Sequence, residues 1–366
     1  LNNNTNTIQN NNMPSGFDWR NRHGANHPNS FYYDGDPLGS GWITSLKRQD
    51  GCVINGVVDN NIDFANCSSM GGIWTGCGSC WAFGPIGATE AVMNLYYNQQ
   101  LDIDLSEQDA LSCSGGGTCS GGNPGSVINY LKNTGVVNET CFPYTASNQS
   151  CSDKCNNSND IIKISNAFYL GSTNFPKNED KLKEMVITHG PIAAALSAPP
   201  NFPYNHAMAL VGYKTIQEGD EIYIHPNWIT IDSGNEYIGK TYWIFKNNYG
   251  SSWGIDGYLF AIIPINYFIY TYALQTPIIS NVMTNNDIKC YDKDGDGYYW
   301  WGIGAKPATC PTCPDDEDSD DSNPMIGPFD SNYQPIINCY FFTFNNSSVE
   351  INSSKTWFNE IINQNV

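Results

Sequence analysis

Thirteen cysteines constrain this 366-residue chain more than any other feature. In an otherwise ordinary globular composition they point to an oxidising compartment, where thiols close as disulfides. The count is odd, so one thiol is left over if twelve pair. A leftover thiol is an intermolecular link, an accident or a nucleophile. The strongest local signal is Cys77-Gly78-Ser79-Cys80-Trp81-Ala82-Phe83. A C-x-x-C can be a redox dithiol, half a zinc site, or a structural cysteine beside a reactive one. A redox motif should follow a strand, and the Gly-rich stretch Met70 to Gly76 does not read as one. The other C-x-x-C, Cys310 to Cys313, lies far outside zinc-finger spacings. The third reading has a physical basis. Cys80 stands where a helix begins, and the unpaired N–H groups there favour a thiolate.

Charge narrows the function. The chain carries 17 Lys and Arg against 36 Asp and Glu, a formal charge of −19. A nucleic-acid binder needs the opposite balance. No apolar run is long enough to span a bilayer, because Pro264 and Asn266 interrupt the stretch from Leu259 to Tyr270. Leu1 opens an Asn-rich segment without a charged, apolar leader, so it is read as a processed end.

Residues 1–13 are expected to be a flexible tail, 14–275 one folded unit, and 276–366 an acidic, Cys-containing module. Ala88, Ala91, Val92 and Leu95 mark one buried face of a helix beginning near Cys80. Pro85 and Gly87 should kink its first turns. Further helices are expected at Ser106 to Leu111, with Ser106 as N-cap, near Ser126 to Asn133, and near Glu179 to His189. Ala207 to Val211, Glu221 to His225, Tyr242 to Phe245 and Gly257 to Ile262 read as strands. Helices first and strands later give an α+β fold with two lobes.

A thiolate nucleophile needs a base and an orienting group. His23, His27, His189 and His225 read as structural. His206 opens the apolar strand Ala207 to Val211, and strand ends hold side chains rigidly. An Asn could fix its ring, and Asn247 precedes the turn Asn248-Tyr249-Gly250-Ser251-Ser252-Trp253-Gly254. Spacing alone would not select it among so many asparagines.

Over roughly 14–275 the chain resembles the papain-like (clan CA, family C1) cysteine peptidases. The matching stretches, in order, are Phe17-Asp18-Trp19-Arg20, Cys77 to Phe83 and Leu105-Ser106-Glu107-Gln108. Cys119-Ser120-Gly121-Gly122-Asn123-Pro124, Phe142-Pro143-Tyr144 and Gly190-Pro191 follow. Asn205-His206-Ala207 and Lys246 to Gly254 complete the set. The resemblance implies a helical lobe and a β-barrel-like lobe. It implies Cys80 as nucleophile, His206 as general base and acid, and Asn247 as the group orienting His206. No cofactor is expected for catalysis. Substrate is expected to lie extended against Gly121 and Gly122, with Asn123, Pro124 and Ala207 as pocket walls. Tyr249, beside Trp253, is expected to shield the His–Asn bond. The resemblance suggests Cys77–Cys119 and Cys113–Cys151, with Cys52–Cys67 closing an insertion and Cys141–Cys155 remaining. The family's long inhibitory pro-segment is missing, which reads as a mature form.

The family's oxyanion-stabilising Gln stands shortly before the nucleophile, where this chain has Trp74. Thr44 to Cys52 resembles the segment that normally leads into the signature, and about 25 residues, Val53 to Cys77, follow as an insertion. Gln49 is therefore assigned as oxyanion donor. A second insertion, Lys214 to Lys240, separates His206 from Asn247.

In 277–366, 13 acidic residues face 4 Lys. Asp292, Asp294, Asp296 and Tyr298, with Gly297 sixth, open a calcium loop that lacks the final Glu. The acidic run Asp315 to Pro324 could supply the missing ligands, and Asp315, Asp318 and Asp320 are the candidates. The arrangement resembles thrombospondin type 3 modules, which implies a structural calcium. Cys290, Cys310, Cys313 and Cys339 could form two disulfides.

Together these readings predict a secreted or cell-surface endopeptidase acting on proteins or peptides. Eight N-x-S/T sequons are compatible with glycosylation. The alternative is a weak or inactive papain-like scaffold kept as an adhesin or assembly subunit, with the C-terminal module as its attachment.

Overall fold

The computed structural model describes residues 13–33, 35, 40–55, 57–59, 62, 64–101, 103–156, 161–172, 176–199, 205–224, 227–279, 283–312, 314–337, 342–344 and 347–349. All of the expected tail 1–13 except Met13, together with His225, Cys313 and Cys339, lies outside them.

Five helices of the α type occur among the described residues: α1 (Phe64–Ser69), α2 (Cys80–Tyr97), α3 (Glu107–Cys113), α4 (Pro124–Asn133) and α5 (Glu179–His189). Helix α2 is the organising element. One buried face was expected, yet every residue from Trp81 to Tyr97 is buried. A helix that is apolar all round belongs in the centre of a fold. It runs unbroken through Pro85 and Gly87 because packing on all sides outweighs their intrinsic cost. Helix α3 is capped as expected, with Ser106 Oγ accepting the Asp109 N–H at 2.9 Å.

The main sheet has seven antiparallel strands. In order across it stand Tyr258–Ala261, Thr241–Lys246, His206–Thr215, Ile192–Leu196, Phe268–Ile279 and Ile162–Tyr169, and Gly16–Asp18 also pairs His206–Thr215. Helix α2 packs across His206–Thr215. Gly84 makes that approach possible: a Cβ there would stand 2.9 Å from Met208 N and 3.1 Å from the Ala207 carbonyl carbon. The helix start and the strand start are thereby held side by side.

The insertion after Gln49 folds back on itself. Gly51–Ile54 pairs with Val57–Asp59 and Ile73–Thr75, α1 lies between them in sequence, and Cys52–Cys67 closes the unit. The acidic tail is not set apart from the rest. The expected boundary at 275/276 falls inside the strand Phe268–Ile279, and Ile288, Trp300, Trp301 and Cys310 join the main hydrophobic core.

Five disulfides form among the described residues: Cys52–Cys67, Cys77–Cys119, Cys113–Cys151, Cys141–Cys155 and Cys290–Cys310. The four pairings suggested by the resemblance are all present. Cys80 is the free cysteine among the described residues.

Candidate active site

The site lies where the N-terminus of α2 meets the start of His206–Thr215. Cys80 is the first residue of α2, and the preceding Ser79 makes no side-chain cap. The first amides of the helix therefore keep their donors near the thiol. Burial pushes the Cys80 thiol up, while N–H groups of Ala207, Trp81 and Cys80 itself pull the other way. Contact with Ala207 places the sulfur at the residue following His206.

His206 is buried, and its Nε2 lies 2.8 Å from Asn247 Oδ1. The same Oδ1 accepts the Asn248 backbone N–H at 2.8 Å. A backbone N–H can only donate, so that Asn atom is the oxygen and Nε2 carries the ring hydrogen. Nδ1 is then the nitrogen that can take up a proton. Tyr249 stacks on the imidazole, with centroids 5.0 Å apart and planes at 15°, and Trp253 packs edge-on to Tyr249 at 5.6 Å. Asn248 Nδ2 donates to Ala207 O at 3.0 Å and ties the two loops together. Burial lowers the His206 imidazole to about 4, against the opposing hydrogen bond from Asn247.

Gln49 reaches the same place from across the insertion. Its Nε2 donates to Cys77 O at 2.9 Å, and its backbone N–H donates to Asn248 O at 3.0 Å. Tyr144 Oη donates to Gln49 O at 2.7 Å and accepts from Ser79 Oγ at 2.6 Å. A side-chain amide has two hydrogens, so one remains for an incoming oxygen. Trp74 does not occupy this position; it lies under Arg48, in the inserted sheet.

The glycine platform is present too. Gly121 and Gly122 are exposed and pair with Gly117 and Thr118. The α face of Gly122 rests on the Trp81 indole, where a Cβ would come within 2.3 Å of the ring. Asn123 caps α4 by accepting the Gly125 N–H at 2.8 Å, and Pro124 is its first residue.

Two supports were not legible in the sequence. One is Gly84, described above. The other is a buried charge network beneath the site. Glu90 accepts from Thr44 Oγ1 at 2.6 Å and Leu105 N at 2.8 Å, and pairs with Lys47 at 3.2 Å and Lys246 at 3.7 Å. Lys47 also meets Glu107 at 3.0 Å. The network joins the helix of Cys80 to the segments carrying Gln49 and Asn247. Its one sequence signal is a lone acid in an apolar helix.

In the tail, one carboxylate oxygen from each of Asp294, Asp318 and Asp321 lies within 4.8 Å of the other two, and Asp292, Asp294 and Asp296 form a second such group. Two expected ligands fall elsewhere. The Asp315 side chain is 92% exposed and pairs with Lys306 at 3.4 Å. Asp320 accepts from Ser322 Oγ at 2.6 Å and lies outside both groups. The Asp318 backbone pairs with Pro328 and turns that side chain and Asp321 inward. Tyr298 donates its backbone N–H to Asp296 Oδ1 at 2.8 Å.

The comparisons fall on this same region. A family described as "Papain family cysteine protease" matches residues 73–267, more than half of the chain. "Peptidase 1" of Dermatophagoides pteronyssinus is 32% identical over 57% of this chain and 62% of its own length. "Cathepsin Z" of Onchocerca volvulus is 31% identical over 57% of this chain and 68% of its own. "Digestive cysteine proteinase 3" of Homarus americanus is 34% identical over 50% of this chain, which spans 54% of that relative. A solved structure of bromelain protease from Ananas comosus with the E64 inhibitor aligns over 72% of this chain and 99% of its own, at 23% identity and a TM-score of 0.45.

Proposed function

We propose, from the premise that this chain belongs to the papain family of cysteine proteases, that it is a secreted endopeptidase working through Cys80, His206, Asn247 and Gln49. The observation that carries the reading is the alignment of His206 Nε2 on Asn247 Oδ1 beside Cys80, the one free cysteine among the described residues. With Nε2 held, Nδ1 faces the task of taking the thiol proton. The Cys80 sulfur then attacks the scissile carbonyl carbon. The oxyanion accepts from the second Gln49 amide hydrogen and from the Cys80 backbone N–H. His206 returns its proton to the leaving amine as the C–N bond breaks. It next takes a proton from water, which attacks the thioester, and the thiol is regenerated. Substrate backbone lies along the exposed Gly121-Gly122 edge as an added strand. In the same reading the acidic tail holds calcium as a structural ion, outside the bond-breaking step. No helix among the described residues is long and apolar enough to cross a membrane.

The competing reading, a weak or inactive scaffold serving as an adhesin or assembly subunit, has one observation in its favour. Burial drives Cys80 and His206 each toward its neutral form. The ion pair must therefore sustain itself, each charge holding the other. This has a measurable consequence. With Cys80→Ala, the lone His206 should titrate near 4, well below an ordinary imidazole. In the intact protein the thiolate should keep the ring protonated to clearly higher pH. Proton-detected titration of the imidazole distinguishes them; equal values in both proteins would exclude a thiolate–imidazolium pair. The broader test is a peptide library, cleaved internally by the protein and spared after treatment with a thiol-directed epoxide. Failure to cleave any peptide would favour the scaffold.

A further inference from the structure

The carboxylates of the tail are arranged in a way that neither peptide hydrolysis nor solubility requires. Asp318 and Asp321 are each 1% exposed. Among the described residues, neither they nor Asp294 form an ion pair with Lys or Arg. Asp318 Oδ1 accepts the Asp320 N–H at 2.9 Å, whereas Oδ2 is buried with no hydrogen-bond partner. Burying unpaired carboxylates this close together is costly unless a cation neutralises them. The spacing suits one. Oxygens on opposite sides of a calcium ion at about 2.4 Å stand about 4.8 Å apart, and the three oxygens lie within 4.8 Å of one another. Asp292 and Asp296 share Asp294 with a second, outer group. A set of several carboxylates suits calcium better than magnesium, which prefers to keep its waters.

The same residues grip the peptidase. Asp321 Oδ2 accepts from Tyr32 Oη, and the Asp321 N–H donates to His23 Nδ1 at 3.0 Å. His23 packs against Trp300 with ring centroids 4.0 Å apart and planes tilted by 31°. Just before the first acidic segment, and again between the two, the chain meets the far end of α2. Lys289 N donates to Tyr97 O at 3.0 Å and Ile303 N to Leu95 O at 3.1 Å, two carbonyls of the last turn of α2. Asn98 Nδ2 donates to Lys289 O at 3.2 Å and Trp300 O at 3.1 Å.

We propose that Asp294, Asp318 and Asp321 hold a calcium ion, with Asp292 and Asp296 at its rim, and that this ion fixes the tail to Tyr32, His23 and the C-terminal end of α2. The proposal rests on reading the tail as a calcium-binding segment, and adds its ligands and its structural role. Calcium is then part of the peptidase fold, acting on the helix whose opposite end bears Cys80.

The test uses the full chain, stripped with EGTA and titrated with calcium, or with magnesium as a control. Calorimetry reads binding, and thermal melting reads stability. Calcium, but not magnesium, should bind and raise the melting temperature of one cooperative transition by several degrees. Asp318→Asn should weaken calcium at least about tenfold, as loss of a metal-supporting group does. Should that variant not fold, Asp294→Asn, at the least buried of the three ligands, reports the same loss. No binding by the intact chain overturns both the proposal and the tail reading. Unaltered binding in Asp318→Asn and Asp294→Asn overturns the ligand set and leaves the tail reading standing. Two separate melting transitions, only one responding to calcium, overturn the link to α2. None of these readouts depends on peptide hydrolysis.

Discussion

Replacing Cys80 with Ser should reduce peptide hydrolysis by about 10⁴-fold or more, as removal of a covalent nucleophile does in other hydrolases. A hydroxyl differs little in size, so the packing around α2 should survive. What changes is acidity. His206 is already pulled down to about 4 by burial, so it is a weak base until a thiolate stands beside it. A thiol can lose its proton to such a base with help from the helix N-terminus; a serine hydroxyl, far less acidic, cannot. Melting temperature and far-ultraviolet dichroism should match the parent protein. Hydrolysis within tenfold of the parent would remove Cys80 from the mechanism.

The second large effect belongs to Gln49→Ala, which should lower kcat by about 10²–10³ with little change in KM, the signature of a lost oxyanion donor. The backbone of Gln49 is held by Asn248 O and Tyr144 Oη through atoms that alanine keeps. The variant therefore removes the side-chain amide and leaves the loop in place. A kcat close to that of the parent would mean that the inserted sheet has carried the oxyanion site elsewhere.

Much of this site was legible before the structure, and the reasons are local. The Ser106 hydroxyl announces α3 because a cap is a one-residue device with a fixed partner, here the Asp109 N–H. The bounds expected for α5, Glu179 to His189, are those found, since acids open it and a His and Gly close it. Gln49 could be traced across the insertion because the segment leading to it keeps its order. Other features were hidden for equally physical reasons. Ile192–Leu196 is a strand built on three alanines, which favour helix, and only its place between two strands overrides them. Phe268–Ile279 contains Pro277, which argues against an inner strand, and was not expected as one, although it runs through the sheet unbroken. Asp321 was passed over in favour of Asp315 and Asp320. Nothing in such a run of acids marks which side chains turn inward, and the local turn buries Asp318 and Asp321 together. Gly84 and the Glu90 network depend on contacts between segments distant in sequence, and no spacing rule encodes them.

The central claim is that Cys80 is an activated nucleophile. It is tested most directly by reacting the native protein with a peptidyl epoxide at neutral pH and mapping the adduct by mass spectrometry. One label per chain, on Cys80, is the predicted result, with the rate falling steeply in His206→Ala. A native chain that stays unlabelled, or labels as slowly as a free surface thiol regardless of His206, would contradict it.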